Sequence, residues 1–223
     1  MNTIRFMFFD VDETLIHMKS MFAFFRHWAL NIKKDPERLA YFEAHFAELR
    51  QSGTSRSVLN RVYYQFFKGE DPSELTKCGQ QWMLAQLKDP DSFFIADTLE
   101  VLRQYQEIGY EAVFVSGSFY EILKPLADYL NVKHTLCIHL EIDRAGNYTG
   151  EFTGIQTIAE GKALAIKEFL KDKDVDLKQC LAFGDDMSDL PMLELVGNPV
   201  VVGMNTLLAE RGEYMGWRIL SAS

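Results

Sequence analysis

Four short stretches of this sequence hold residue types that could do chemistry together. Asp10-Val11-Asp12-Glu13-Thr14 directly follows the apolar run Ile4 to Phe9. In an extended exit from a strand, residues two apart share a side, so Asp10 and Asp12 project together. One carboxylate could act as nucleophile or metal ligand and the other as general acid or base. The same pair would also suit a solvated turn. Gly184-Asp185-Asp186-Met187-Ser188-Asp189 brings up to three more carboxylates to the end of a second apolar run. Hard oxygen ligands of this kind suit Mg²⁺, although acids at a helix start are also favoured by the macrodipole alone. Ser116, followed by Gly117 and Ser118, could grip a phosphoryl oxygen or simply cap a helix. Lys162 could neutralise a bound phosphate and the acids around it, or be an ordinary surface lysine.

These residues become a site only if the chain brings them to one place. Ile4 to Phe9, Ala112 to Val115, Cys180 to Phe183 and Pro199 to Val202 are short apolar runs ending in small or acidic residues, the pattern of strands buried on both faces. Helical spacing of apolar residues covers Asp97 to Ile108, Phe119 to Leu130 and Ala159 to Leu170. Strand alternating with helix predicts an α/β fold with a doubly wound parallel sheet. Ligands of such sheets bind at the carboxyl ends of the strands, where the Asp10, Ser116 and Gly184 stretches lie, while Lys162 lies at the start of a helical pattern.

Residues 17–90 break the alternation. They read as helices rich in Phe, Tyr and Trp, with turns at Lys33 to Pro36, Gln51 to Thr54, Gly69 to Pro72 and Lys88 to Pro90. This predicts a helical cap, 17–90, inserted into a core domain of residues 1–16 and 91–223. The cap is expected to move as a lid, with hinges near His17 to Ser20 and Lys88 to Ser92. A small β-hairpin is predicted over Leu136 to Phe152, turning at Asp143 to Asn147.

Composition narrows the partners. Of 223 residues, 48% are hydrophobic and 25% charged, enough apolar material for a packed core. The net charge of −9 opposes binding to nucleic acid or an anionic membrane, so a small molecule is expected. Cys78, Cys137 and Cys180 have neither metal-site nor disulfide-framework spacing, which fits a reducing, cytoplasmic setting. Ile4 to Phe9, cut by Asp10 and Asp12, is too short and acidic for a signal-peptide core. No run approaches the length of a spanning helix. The chain is expected to act as a monomer or homodimer.

In order and spacing, the Asp10 to Thr14 stretch, Val115-Ser116-Gly117-Ser118, Gly161-Lys162 and the Gly184 to Asp189 stretch resemble the four motifs of the haloacid dehalogenase-like (HAD) hydrolases. The resemblance spans residues 4 to about 203. The inserted helical cap, the hairpin ending in Tyr148-Thr149-Gly150, Leu190-Pro191-Met192 and Asn198-Pro199-Val200-Val201 are similar to the phosphoserine-phosphatase-like branch, subfamily IB. The resemblance implies a Rossmannoid core and a Mg²⁺-dependent phosphomonoesterase acting on a small phosphate ester. By the same likeness Asp10 forms an aspartyl-phosphate, and Asp12 protonates the leaving oxygen and then activates water. The metal would be held by Asp10, the Asp12 carbonyl and Asp185, with Asp189 nearby. Ser116, Gly117 and Lys162 would hold the phosphoryl group. Dehalogenases and P-type ATPases of the superfamily lack the acid/base aspartate that Asp12 supplies. A phosphotransferase using the same intermediate, or a phospho-accepting regulatory module, are the competing readings.

The resemblance departs at one point. Phosphoserine phosphatases of this type carry an acidic residue nine positions after the nucleophile to bind the substrate amine, and here Lys19 takes that place. The cap offers Arg56, Arg61, Tyr63 and Tyr64, of which Arg61 lies in a stretch that looks like the branch's carboxylate-binding segment. Lys19 and Arg61 together would suit an acidic organic phosphate, while the aromatic cap would equally cover a bulky apolar one.

Overall fold

The computed structural model describes residues 4–222. Its first strand, β1 (Arg5–Phe9), leads through a tight loop to the helical insertion: α1 (Ser20–His27), continued by a short π-helical stretch, α2 (Pro36–Gln51), α3 (Arg56–Gln65) and α4 (Pro72–Gln86). All four turns expected in this region separate these helices or follow them. Asp35, Ser55 and Asp71 cap α2, α3 and α4 by accepting a backbone N–H, the role these side chains fill best.

The chain returns through the short α5 (Pro90–Phe93) and α6 (Ala96–Glu107) to β2 (Tyr110–Phe119) and α7 (Tyr120–Tyr129). Next come β3 (His134–Ile142), β4 (Tyr148–Thr153) and α8 (Glu160–Leu170), then β5 (Leu181–Gly184), α9 (Leu190–Leu193), β6 (Asn198–Val202), α10 (Leu207–Met215) and β7 (Arg218–Leu220). The strands form one sheet in the order β4-β3-β2-β1-β5-β6-β7. Every pairing is parallel except that of β3 with β4.

Three details go beyond the sequence reading. The hairpin belongs to the sheet, because β3 pairs in parallel with β2 and carries β4 as the edge. β2 runs on through Ser116 to Phe119, but its register with β3 shifts between Val115 and Phe119. A bulge there lets the strand continue while Ser116, Gly117 and Ser118 leave the ladder. β7 had no signal, since Arg218 is exposed and three residues are too few for a visible period.

β1 sits centrally because it can bury both faces. Phe6 and Phe8 join an apolar cluster with Val113, Val115, Ile166 and Ala182, while Met7 and Phe9 join the cluster on the opposite face. That second cluster is continuous with the cap: Phe24, Trp28, Phe42 and Phe67 belong to it together with Phe119, Ile122 and Leu126 of β2 and α7. Gly79 on α4 permits the approach, since a Cβ there would stand 3.0 Å from the Glu121 carbonyl oxygen. The two linkers to the cap also bond to each other, His17 N–H to the Phe93 carbonyl at 2.9 Å and Ile95 N–H to the Leu15 carbonyl at 3.0 Å.

Candidate active site

Strand order reverses at β1, with β2 on one side and β5 on the other. The carboxyl ends of these three strands open on a cavity of about 340 Å³ roofed by the cap. Asp10, Asp12, Ser116, Gly117, Lys162, Asp185 and Asp189 all line it, so residues up to 179 positions apart meet there.

Lys162 is the hub. It is 2% exposed, and its Nζ donates to Asp10 Oδ1 and to Asp189 Oδ1, each at 2.6 Å. Burial works against its charge, but the two carboxylates outweigh that and hold its pKa above the usual lysine value. Thr14, fully buried, links the two acid stretches by donating toward Asp10 Oδ2 at 3.3 Å and Asp185 Oδ1 at 2.9 Å. The loop after β5 folds back over the strand end, where Asp189 Oδ2 accepts the N–H groups of Asp185 and Asp186. Gly184 makes this possible, because a Cβ on it would lie 2.5 Å from the Asp189 Cβ.

Asp12 is set differently. Its Oδ2 accepts the N–H of Ser20, the first residue of α1, at 2.9 Å, while its Oδ1 is shielded from solvent with no partner among the described residues. Desolvation, reinforced by the neighbouring Asp10, pushes its pKa up to about 7. A carboxyl group so placed holds its proton to higher pH than an exposed one and can donate it near neutrality. Glu13 follows at φ 61°, a left-handed conformation costly for a non-glycine residue, as the chain turns sharply beneath the site.

Carboxylate oxygens of Asp10, Asp185 and Asp189 lie within 4.8 Å of one another. Burial first, and then the Asp10 and Asp189 charges, push Asp185 up to about 8. Burial also pushes Asp189 up to about 6, against the pull of Lys162. Three carboxylates thus crowd together, and the one buried ammonium pairs with Asp10 and Asp189 but not with Asp185. The donor set is all oxygen, and the excess negative charge is what a divalent cation would cancel, so these residues fit Mg²⁺.

The cap residues divide. Lys19 lines the cavity, half exposed and paired with Glu13 at 3.1 Å. Arg61 does not reach the cavity: it pairs with Glu151 on β4 at 2.8 Å and lies over the Phe152 ring at 4.6 Å. Arg50 and Arg56 line the cavity instead, Arg50 over the Phe22 ring at 4.6 Å and Arg56 paired with Asp186 at 2.7 Å. Helix α3 carries both Arg56 and Arg61, and its rotation about its axis, invisible in a single sequence, decides which faces inward. Spacing alone gives no sign of Arg50 or of the roles of Thr14, Ser20 and Thr157. Small hydroxyl residues give no signal until their partners are known.

The family model for haloacid dehalogenase-like hydrolases matches residues 7–194. The chain belongs to that family. A probable phosphatase of Mycobacterium tuberculosis is 29% identical to this hydrolase, over 97% of the present chain and 75% of its own. A phosphoserine phosphatase of the same organism is 28% identical over 95% and 69%. Among solved structures, a protein of unknown function from Bordetella pertussis superposes with a TM-score of 0.87 at 21% identity, covering the whole of both chains. The hydrolase is accordingly an enzyme of the phosphatase class on the phosphoserine-phosphatase-like branch. Among the described residues, no helix is long and apolar enough to cross a membrane.

Proposed function

We propose that the chain is a Mg²⁺-dependent phosphomonoesterase that works through an aspartyl-phosphate on Asp10. The observation that carries this is the placing of two aspartates, two residues apart, in opposite settings: Asp10 gripped by Lys162 at 2.6 Å beside two further acids, and Asp12 held outside that cluster by the Ser20 N–H at 2.9 Å. An oxygen of the Asp10 carboxylate attacks phosphorus, and the bond from phosphorus to the ester oxygen breaks. The departing alkoxide takes the proton of the Asp12 carboxyl group. Asp12, now ionised, takes a proton from water whose oxygen attacks the phosphoryl group, releasing inorganic phosphate and restoring Asp10. Lys162, Ser116 and the Gly117 region supply donors to the phosphoryl oxygens, where charge builds in the transition state.

Mg²⁺ would be held by Asp10, Asp185 and the Asp12 backbone carbonyl, with Asp189 behind them. Once bound it would neutralise the carboxylates facing an incoming phosphate.

The substrate is a small phosphate ester. Lys19, Arg50 and Arg56 offer cations at the wall, and Phe22, Leu59 and Ile158 offer apolar surface. All three cysteines are free and buried, which suits a reducing cytoplasmic compartment. Hydrolysis of a metabolite panel, each ester assayed with Mg²⁺ and with chelator, tests the reading. Release of inorganic phosphate only when Mg²⁺ is present is expected, and unchanged release in chelator would overturn the metal assignment.

A further inference from the structure

Two buried cap side chains end on one backbone atom in the bulged end of β2. Asn60 Nδ2 donates to the Gly117 carbonyl at 2.8 Å, and the Tyr64 hydroxyl donates to the same oxygen at 2.6 Å. They stand four apart on α3, hence on one face, and are 6% and 0% exposed. The Asn60 amide is itself oriented, because Gln156 Nε2 donates to its Oδ1 at 3.0 Å and to the Ser57 carbonyl at 2.8 Å. The preceding carbonyl, of Ser116, accepts from the Thr157 hydroxyl at 2.5 Å. No ladder pairing holds these residues, since the register with β3 breaks between Val115 and Phe119. Side chains do that work instead.

The consequence follows from the rigidity of the peptide unit. In a planar trans peptide, fixing a carbonyl fixes the direction of the N–H that follows it. The Gly117 carbonyl therefore sets the Ser118 N–H, which donates to Ser116 Oγ at 3.1 Å. With a lone pair of Ser116 Oγ so engaged, the hydroxyl proton is left to donate into the cavity that Asp10 lines. Both lone pairs of the Gly117 oxygen are used by the cap, so the peptide cannot rotate without breaking two buried hydrogen bonds. Gly117 also lets Ile158 pack close, since a Cβ there would stand 2.2 Å from the Ile158 Cδ1 and force that side chain to shift.

We infer that Asn60 and Tyr64 are positioning residues for phosphoryl recognition: by holding the Gly117 carbonyl they orient, through Ser118 N–H, the hydroxyl of Ser116. This rests on the reading of Asp10 as nucleophile and Ser116 as phosphoryl ligand. It makes the cap part of the catalytic machinery for every substrate. A generic ester with no group for the cap to recognise depends on it too.

A double-mutant cycle on p-nitrophenyl phosphate with Mg²⁺ tests the inference, using Tyr64→Phe, Ser116→Ala and the pair. Tyr64→Phe removes one hydroxyl and should lower kcat/KM roughly 2- to 10-fold, the range for one buried neutral hydrogen bond. In the Ser116→Ala background the same change should have no further effect, since the group being oriented is gone. Asn60→Asp keeps an acceptor for Gln156 but can set an oxygen against the Gly117 carbonyl. It should lose more, and inorganic phosphate should inhibit it more weakly than the parent. Equal losses from Tyr64→Phe in both backgrounds, or a lowered Tm with kcat/KM untouched, would reduce these residues to anchors of the cap and overturn the inference. Asp10→Asn serves as control: turnover by that variant would show that the assignment of the nucleophile had failed, a result distinct from additivity in the cycle.

Discussion

The acids at the strand ends and the cations of the cap are treated in opposite ways. Asp10, Asp185 and Asp189 converge within 4.8 Å of one another, two of them on the buried Lys162 ammonium, and both Asp185 and Asp189 are pushed above the usual carboxylate range by burial. Lys19, Arg56 and Arg61 sit about half exposed, each with one carboxylate partner, at 3.1, 2.7 and 2.8 Å. Exposed pairs of that kind contribute about 0–1 kcal/mol and are screened by salt. Uncompensated buried charge costs stability and persists where chemistry uses it, so the strand ends hold the reaction and the cap rim adjusts what enters.

The largest effect should come from Asp10→Asn, which replaces the nucleophile with an amide and should abolish hydrolysis of any ester. Near-parental turnover would remove Asp10 from that role. Lys162→Met should come next, in both activity and stability, because it leaves Asp10 and Asp189 buried without their counter-charge. Breaking a buried pair costs about 3–5 kcal/mol, readable in chemical denaturation, and an unchanged midpoint would show that the hub is not needed for folding.

Asp12→Asn separates function from stability. Loss of the proton donor should slow esters with poor leaving groups by about 10²- to 10⁴-fold. In metal-free buffer the same change should raise Tm. Folded Asp12 keeps its proton up to about pH 7, whereas its ordinary value is 3.8. Its contribution therefore favours the folded state at acid pH and is lost as pH rises through 7. The gain of the variant over the parent should be small at pH 4 and large at pH 8. The reverse order would contradict the placing of Asp12 away from a compensating cation.

What the sequence disclosed follows the same division. The acid stretches and Ser116 were legible because strand ends announce themselves: Phe6 to Phe9 bury both faces, and the polar residues that follow must lie at the sheet edge; Lys162, on α8, was legible only through the resemblance of its motif. The cap helices and their turns were legible from Gly and Pro punctuation such as Pro36, Gly69 and Pro72. What lay hidden depends on how helices rotate and dock. Arg61 turned to β4 while Arg56 turned to the cavity, and no spacing on α3 distinguishes them. The apolar cluster shared by Trp28, Phe67 and Phe119 joins the cap to the sheet face through residues that, in sequence, look like the core of a separate body.

Smaller effects should come from the rim. Lys19→Glu should reorder a substrate panel yet leave p-nitrophenyl phosphate hydrolysis near parental, since its pair with Glu13 is exposed and it touches none of the reacting acids. Collapse of generic ester hydrolysis in that variant would move Lys19 into the catalytic group.

The central claim, division of labour between Asp10 and Asp12, is tested most directly by trapping the intermediate. Asp12→Asn should still be phosphorylated by p-nitrophenyl phosphate, whose leaving group needs no acid, but should lack the base that activates water. After acid quenching, peptide mass mapping of that variant should find close to one phosphoryl group per chain, attached to Asp10, and none in the Asp10→Asn, Asp12→Asn pair. A phosphoryl group on any other residue, or none on Asp12→Asn while nitrophenol is released, would contradict the account.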